Sequence, residues 1–209
     1  MSNHISLLGV EEAALGAKLL ALGMRDNPLH VQVFGENAKK REQALHRMFT
    51  PFLRHQARKK ALLGVWQENE LLGLCGFAPP GKCQTTFSNK LELAPPILRG
   101  AGLQGAWRIL RWTRVWARWD YQQPHWHLGP LVVHPCHQGQ GIGSSLVEAF
   151  CCYVDEDDAL AYLETDMLDN VRLYRRFGFT VVGTQQVLGA RNWFMLRDRQ
   201  PCMTERTMY

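Results

Sequence analysis

Leu131-Val132-Val133-His134-Pro135-Cys136-His137-Gln138-Gly139-Gln140-Gly141-Ile142-Gly143-Ser144-Ser145 is the stretch on which the fold turns. An apolar run ends at Val133, a turn carries glycines at 139, 141 and 143, and the pattern predicts a helix from about Gly141 to Val154. Such a turn aims several backbone N–H groups and the positive end of a helix dipole at one point. Without Cβ atoms a bulky anion can approach the backbone closely. The chemistry this predicts is phosphate or pyrophosphate binding. It is not a P-loop, because no lysine precedes Ser144. It is not a dinucleotide fingerprint either, because the spacing is G-x-G-x-G and the strand-turn-helix comes late in the chain. The glycines alone leave open a helix start with no ligand.

On either side of this turn the pattern alternates strands and helices. His125–Val133 reads as the strand that feeds the turn. Leu160–Thr165 reads as a strand, Asn170–Phe177 as a short helix capped by Gly178, and Phe179–Val182 and Asn192–Leu196 as strands. Upstream, Ile5–Val10 is a first strand, Glu11–Met24 a helix, and Ala38–Lys60 a basic helical region that Pro51 is expected to break in two. Ala61–Gln67 and Leu71–Ala78 make an antiparallel hairpin, and Gly81–Pro96 reads as a loop. Leu103–Asp120 is an amphipathic helix with Trp107, Trp112, Trp116 and Trp119 at helical spacing, a packing stripe and a candidate wall for an aromatic amine. The layout is α/β and continuous enough to predict one domain over residues 1–209.

The chain of 209 residues is 46% hydrophobic and 21% charged, which excludes a disordered, collagen-like or small disulfide-framed protein. Its 24 Lys and Arg against 19 Asp and Glu leave a formal charge of +5, compatible with a polyanionic ligand. The basic residues of 38–60 match no known nucleic-acid reader motif, so they read as a solvated face and no nucleic acid is expected. No run approaches the roughly 18 apolar residues of a membrane span, and no basic segment precedes the apolar Ala13–Met24. The six cysteines contain no C-x-x-C pair and read as thiols in a reducing cytosol, so the expected location is cytoplasmic.

Gln138-x-x-Gly141-x-Gly143 behind Val132-Val133-x-Pro135 resembles the acyl-CoA signature of the GNAT acetyltransferase superfamily. Ala161-Tyr162-Leu163-Glu164, Asn170-x-x-x-Tyr174-x-x-Phe177-Gly178-Phe179 and Trp193-Phe194-Met195-Leu196-Arg197 resemble its later elements in order and spacing. The resemblance covers roughly residues 125–200. It implies an α/β (α+β) fold whose mixed central sheet splays beside Val132–Val133, with acetyl-CoA as co-substrate. The pantetheine would lie along Leu131, Val132 and Val133. The pyrophosphate would sit on the amides of Gln138, Gly139, Gln140, Gly141, Ile142, Gly143 and Ser144, and Asn170 and Tyr174 would contact the cofactor, Tyr174 at its sulfur.

Acetyl transfer to an amine needs a base for the ammonium, a stabilised oxyanion and an acid for the departing thiolate. Tyr174 is the candidate acid; a phenol with pKa of about 10 can donate to a thiolate whose own pKa is about 8.5. The candidate base is His127, eleven residues before Gln138, and His125 on the same strand face could join it in a proton relay. Glu164 is the rival base. His134 and His137 flank the turn, and no metal is expected, because no Cys or carboxylate stands at ligand spacing from the histidines. The expected acceptor is a small-molecule or peptide amine, with no membrane partner and a homodimer left open. The alternatives are a non-catalytic acyl-CoA-binding regulatory domain and a nucleotide-dependent oxidoreductase.

Overall fold

The structure, a computed structural model, describes residues 3–82 and 87–200. Along them run β1 (His4–Leu7), α1 (Ala13–Gly23), α2 (Pro28–Phe34), α3 (Ala38–Arg58), β2 (Leu62–Gln67), β3 (Glu70–Ala78), α4 (Phe87–Trp119) and β4 (His125–Val133). A 3-10 turn (Pro135–His137), α5 (Ile142–Glu156), β5 (Leu160–Thr165), α6 (Leu168–Arg175), β6 (Thr180–Val187) and β7 (Ala190–Arg197) follow. The strands form a mixed sheet in the order β1-β2-β3-β4-β5-β7-β6. β4 and β5 are its parallel pair, and the other neighbours are antiparallel.

Alternation along the strands supplies two apolar faces. Leu63, Val65, Phe77, Trp126, Leu128, Ala161 and Leu163 face α5 and α6, whose Leu146, Phe150, Val171 and Tyr174 complete that core. Leu62, Leu71, Leu74 and Val132 meet α1 and α3 on the other side. α2, α4 and the β6–β7 hairpin close a third cluster through Leu29, Val187, Trp112 and Trp116.

The feature that makes a site is the parting of β4 from β5. Their ladder holds only His125↔Leu160, Trp126↔Ala161 and His127↔Tyr162. β4 bulges just beyond: Phe77 pairs with Leu128 and Cys75 with Leu131, so Gly129 and Pro130 oppose Gly76 alone. A Cβ on Gly76 would stand 2.8 Å from Pro130 and 2.9 Å from the Gly129 carbonyl, so the close approach requires glycine. The extra residue shifts the alternation by one. Leu128, Leu131 and Val133 therefore all turn toward α5, and Val132 turns to the α1 side.

Several sequence expectations are corrected. α3 runs unbroken through Pro51, because Arg41, Ala44, Leu45, Phe49, Leu53 and Ala57 form one buried stripe across it. Arg41 is no part of a solvated face; it is buried, with Nη2 2.7 Å from Asp26 Oδ1 and Nη1 2.6 Å from the Gly35 carbonyl. The loop expected over Gly81–Pro96 is helical from Phe87 onward, and residues 83–86 lie outside the described chain. α4 reaches α3 closely at Gly100, whose Cβ would stand 2.8 Å from Ala44, and it kinks at Gly102 (φ 64°). α2 was not anticipated, although Asn27-Pro28 ahead of it and Gly35 behind it are helix boundary signals. β6 and β7 are longer than read and meet at Leu188-Gly189, both at positive φ. Of the tryptophan stripe, Trp112, Trp116 and Trp119 pack inward, whereas Leu103 and Trp107 are exposed. No helix among the described residues is long and apolar enough to cross a membrane.

Candidate active site

The glycine turn has the geometry its sequence predicts. Gly139 (φ 77°) and Gly141 (φ 85°) adopt left-handed backbone with open space where a Cβ would stand. They are glycines for conformation, and their lack of side chains leaves the turn accessible. Gly141 is the N-cap of α5 and supplies no side-chain cap, and no acidic residue sits in the first turn. The free N–H groups of that helix end are thus left for an anion. Gln138, Gly139, Gln140 and Gly141 are exposed, and Ile142 anchors the helix in the core. Gln138 Nε2 donates to the Val133 carbonyl at 3.3 Å, which ties the turn to the end of β4. Gly143 lies 3.5 Å, by its would-be Cβ, from Val133, and Ser144 is half-buried beside it.

A cavity of about 310 Å³ lies at the β4–β5 opening. Leu131, His127, Glu164, Asn170 and Tyr174, all candidates from the sequence, line it together. Val132, Val133 and residues 138–144 do not; they form the strand end and turn that continue from Leu131. The cavity also takes in His30, Phe49, Phe52, Trp112, Trp116 and Asp166. Of these only the tryptophans had a signal in the sequence.

His127 and Glu164, rivals in the sequence, are partners here. His127 Nε2 stands 3.0 Å from Glu164 Oε2, with the carboxylate side chain 5% exposed and the imidazole 23%. His125 sits deeper. Its Nδ1 meets the Gln123 carbonyl at 2.8 Å, and because a carbonyl only accepts, that nitrogen carries the hydrogen. Its Nε2 lies 3.3 Å from Asp120 Oδ1. The two imidazole centroids are 6.2 Å apart, and both rings stand edge-on to Tyr162. Asp120 also completes a group the sequence spacing did not connect: ligand atoms of Asp120, His125 and His127 lie within 4.8 Å of one another, a donor set that a divalent ion accepts. Each imidazole of that group already faces a carboxylate.

α6 is held to the end of β5 by Thr165, whose Oγ1 accepts from the Met167 N–H at 3.2 Å and from Asn170 Nδ2 at 3.4 Å. This brings Asn170 and Tyr174, four residues apart, to the cavity. Tyr174 is 5% exposed, and burial pushes its phenol well above the ordinary tyrosine range, so it remains protonated at neutral pH. Asp166 Oδ2 accepts from the Leu29 N–H at 3.2 Å and so joins α2 to the cavity rim. His30 Nδ1 meets the Met24 carbonyl at 2.8 Å, and burial, first among its causes, lowers the pKa of this ring.

A mixed sheet splayed beside an uncapped glycine turn, with a protonated phenol and a carboxylate-paired imidazole in the opening, is an arrangement that suits acyl transfer. The chain belongs to the acetyltransferase (GNAT) family, whose model matches residues 29–179. The nucleotide-dependent oxidoreductase alternative falls with that assignment. Solved structures share the fold at low identity. The histone acetyltransferase HPA2 and related acetyltransferase of Corynebacterium glutamicum is 16% identical over 96% of this chain and 98% of its own, with a TM-score of 0.70. The polyamine N-acetyltransferase of Drosophila melanogaster is 16% identical over 94% and 100%, with a TM-score of 0.68. The PaiA N-acetyltransferase of Thermoplasma acidophilum, solved with coenzyme A, is 12% identical over 95% and 99%, with a TM-score of 0.62.

Proposed function

We propose that this chain transfers an acetyl group from acetyl-CoA directly to a primary amine bound in the β4–β5 cavity, with His127 and Glu164 as a base pair and Tyr174 as the acid. The observation that carries this is the convergence of His127, Glu164 and Tyr174 on one cavity beside the anion turn. The coenzyme A complex and the polyamine acetyltransferase among the solved relatives support a CoA donor and an amine acceptor.

The amides of Gln138, Gly139, Gln140, Gly141, Ile142, Gly143 and Ser144 would hold the pyrophosphate. The backbone of Leu131, Val132 and Val133 would take the pantetheine, with Asn170 as a further contact. The acceptor arrives as an ammonium ion and is drawn to the Glu164 carboxylate. His127 takes its proton, and Glu164 stabilises the imidazolium that forms. The freed amine nitrogen bonds to the acetyl carbon, the carbon–sulfur bond breaks, and the Tyr174 proton goes to the leaving sulfur. The new amide nitrogen loses its second proton, which restores the phenol, and the proton held on His127 passes to solvent as the one proton the reaction releases. Burial keeps the Tyr174 phenol protonated and makes it a weaker acid than a free tyrosine, so its proton moves only as the thiolate develops in the same buried opening.

The test is CoA release from acetyl-CoA with a primary amine, alongside melting temperature with acetyl-CoA. Tyr174→Phe should lower kcat about 10²-fold, the low end for a lost general acid, and leave the acetyl-CoA shift unchanged. Unaltered kcat would remove Tyr174 as the acid.

A further inference from the structure

We infer that the acceptor is a primary monoamine carried on an aromatic or comparably bulky apolar body and lacking a carboxylate. The inference rests on the acyl-transfer reading above and names the substrate class of that same cavity. Its first support is an unbroken chain of rings. Phe52 and Phe49 have centroids 6.4 Å apart, Phe49 and His30 6.1 Å, His30 and Trp112 5.6 Å, and Trp112 and Trp116 5.1 Å. All five rings line the cavity, and each contact in the chain is edge-to-face or nearly so. These are the separations at which aromatic rings attract beyond simple burial, and a substrate ring entering the wall would make the same contacts.

The second support is where the charges stand. Glu164 and Asp166, two residues apart on and just beyond β5, are the carboxylates of the lining, and no lysine or arginine lines it among the described residues. An ammonium group is therefore welcomed at the end that holds His127. A substrate carboxylate has no cation to meet, so an amino acid is disfavoured against the amine with the same side chain. A polyamine would carry its second ammonium toward the ring-lined end, where the one lining carboxylate, Asp166, already accepts from the Leu29 N–H. His30, the ring in the middle of the chain, is held toward its neutral form by burial, which keeps that wall apolar. The volume, about 310 Å³, is at the small end for ligand pockets, and the acetyl end of the donor shares it at Leu131, Asn170 and Tyr174, which leaves room for an acceptor no larger than one ring on a short chain.

The experiment measures CoA release at saturating acetyl-CoA for phenethylamine, tryptamine, phenylalanine, tryptophan, spermidine and agmatine. The expected result is kcat/KM for the two aromatic amines at least tenfold above each of the other four. Phe52→Ala should raise KM for phenethylamine several-fold with a smaller change in kcat; if that variant does not fold, Phe52→Leu is read instead. A preference for spermidine or agmatine, a preference for the amino acids, or equal rates across the panel overturns the substrate class while leaving acyl transfer standing. No release with any amine, from protein whose melting temperature acetyl-CoA raises, overturns the acyl-transfer reading and the substrate class with it.

Discussion

His127 Nε2 and Glu164 Oε2 are 3.0 Å apart, and the parallel pairing of β4 with β5 is what joins them. His127 pairs with Tyr162, so the residue two beyond, Glu164, returns to the same face of the sheet. The strands part at this point, which leaves the pair at the mouth of the opening rather than inside a continuous ladder.

The two side chains should therefore behave as one unit. His127→Gln and Glu164→Gln are each expected to lower kcat about 10²-fold, and the double variant to fall no further than about the worse single one. Multiplying losses would show two separate roles. The pH profile separates the partners: His127→Ala should remove the lower-pH limb, whereas Glu164→Gln should keep it and move it to lower pH, because a neutral amide no longer favours the imidazolium.

Cys136 is exposed at the anion turn, and Cys152 is exposed on α5. Acetyl-CoA is expected to slow alkylation of Cys136 several-fold and to leave Cys152 unchanged, as read by peptide mass spectrometry after short exposure to iodoacetamide. Equal protection of both, or of neither, would remove the turn as the cofactor site. Burial also pushes the Cys151 thiol up to about 11, so it should label more slowly than either.

Buried His30 has a lowered pKa in the fold, so the unfolded chain binds more protons there at mildly acidic pH. Its contribution is complete above the unfolded value of about 6.5 and is lost as the pH falls from there toward the lowered folded value. The melting temperature of the protein should drop on acidification through that window. His30→Phe keeps a ring but cannot titrate, and its melting temperature should fall less steeply over the same range.

Trp119 ties α4 to the sheet. Its ring stacks on Phe194 at 4.7 Å, its Nε1 donates to Gln185 Oε1 at 2.5 Å, and its carbonyl accepts from the Tyr162 hydroxyl at 2.7 Å. A Cβ on Gly183 would stand 2.1 Å from that indole. Gly183→Ala should cost about 1–3 kcal/mol, the usual range for overpacking, read as a lower urea midpoint. An unchanged midpoint would show that the indole can shift freely.

Much of the cofactor half was legible because its signals are local. Gly139 and Gly141 need positive φ whatever packs around them, and Asn170 and Tyr174 share a helix face by spacing alone. The strands expected over 125–133 and 160–165 match the bounds of β4 and β5 residue for residue. The acceptor half was less legible because its signals are not local. Pro95-Pro96 reads as a loop until α4 lies against α3 at Gly100, and Pro51 reads as a break until one buried stripe spans it.

The sequence by itself determined the glycine turn, the strand that feeds it and the family, since each depends on backbone conformation and spacing over a few residues. Only the tertiary structure decided that His127 and Glu164 are one pair and that Asp120 stands against His125. It also decided that rings from α2, α3 and α4 share a wall. The widest of those contacts, His30 to Trp112, joins residues 82 positions apart, and no periodicity or spacing encodes a distance that arises only when separate elements are packed against the same sheet.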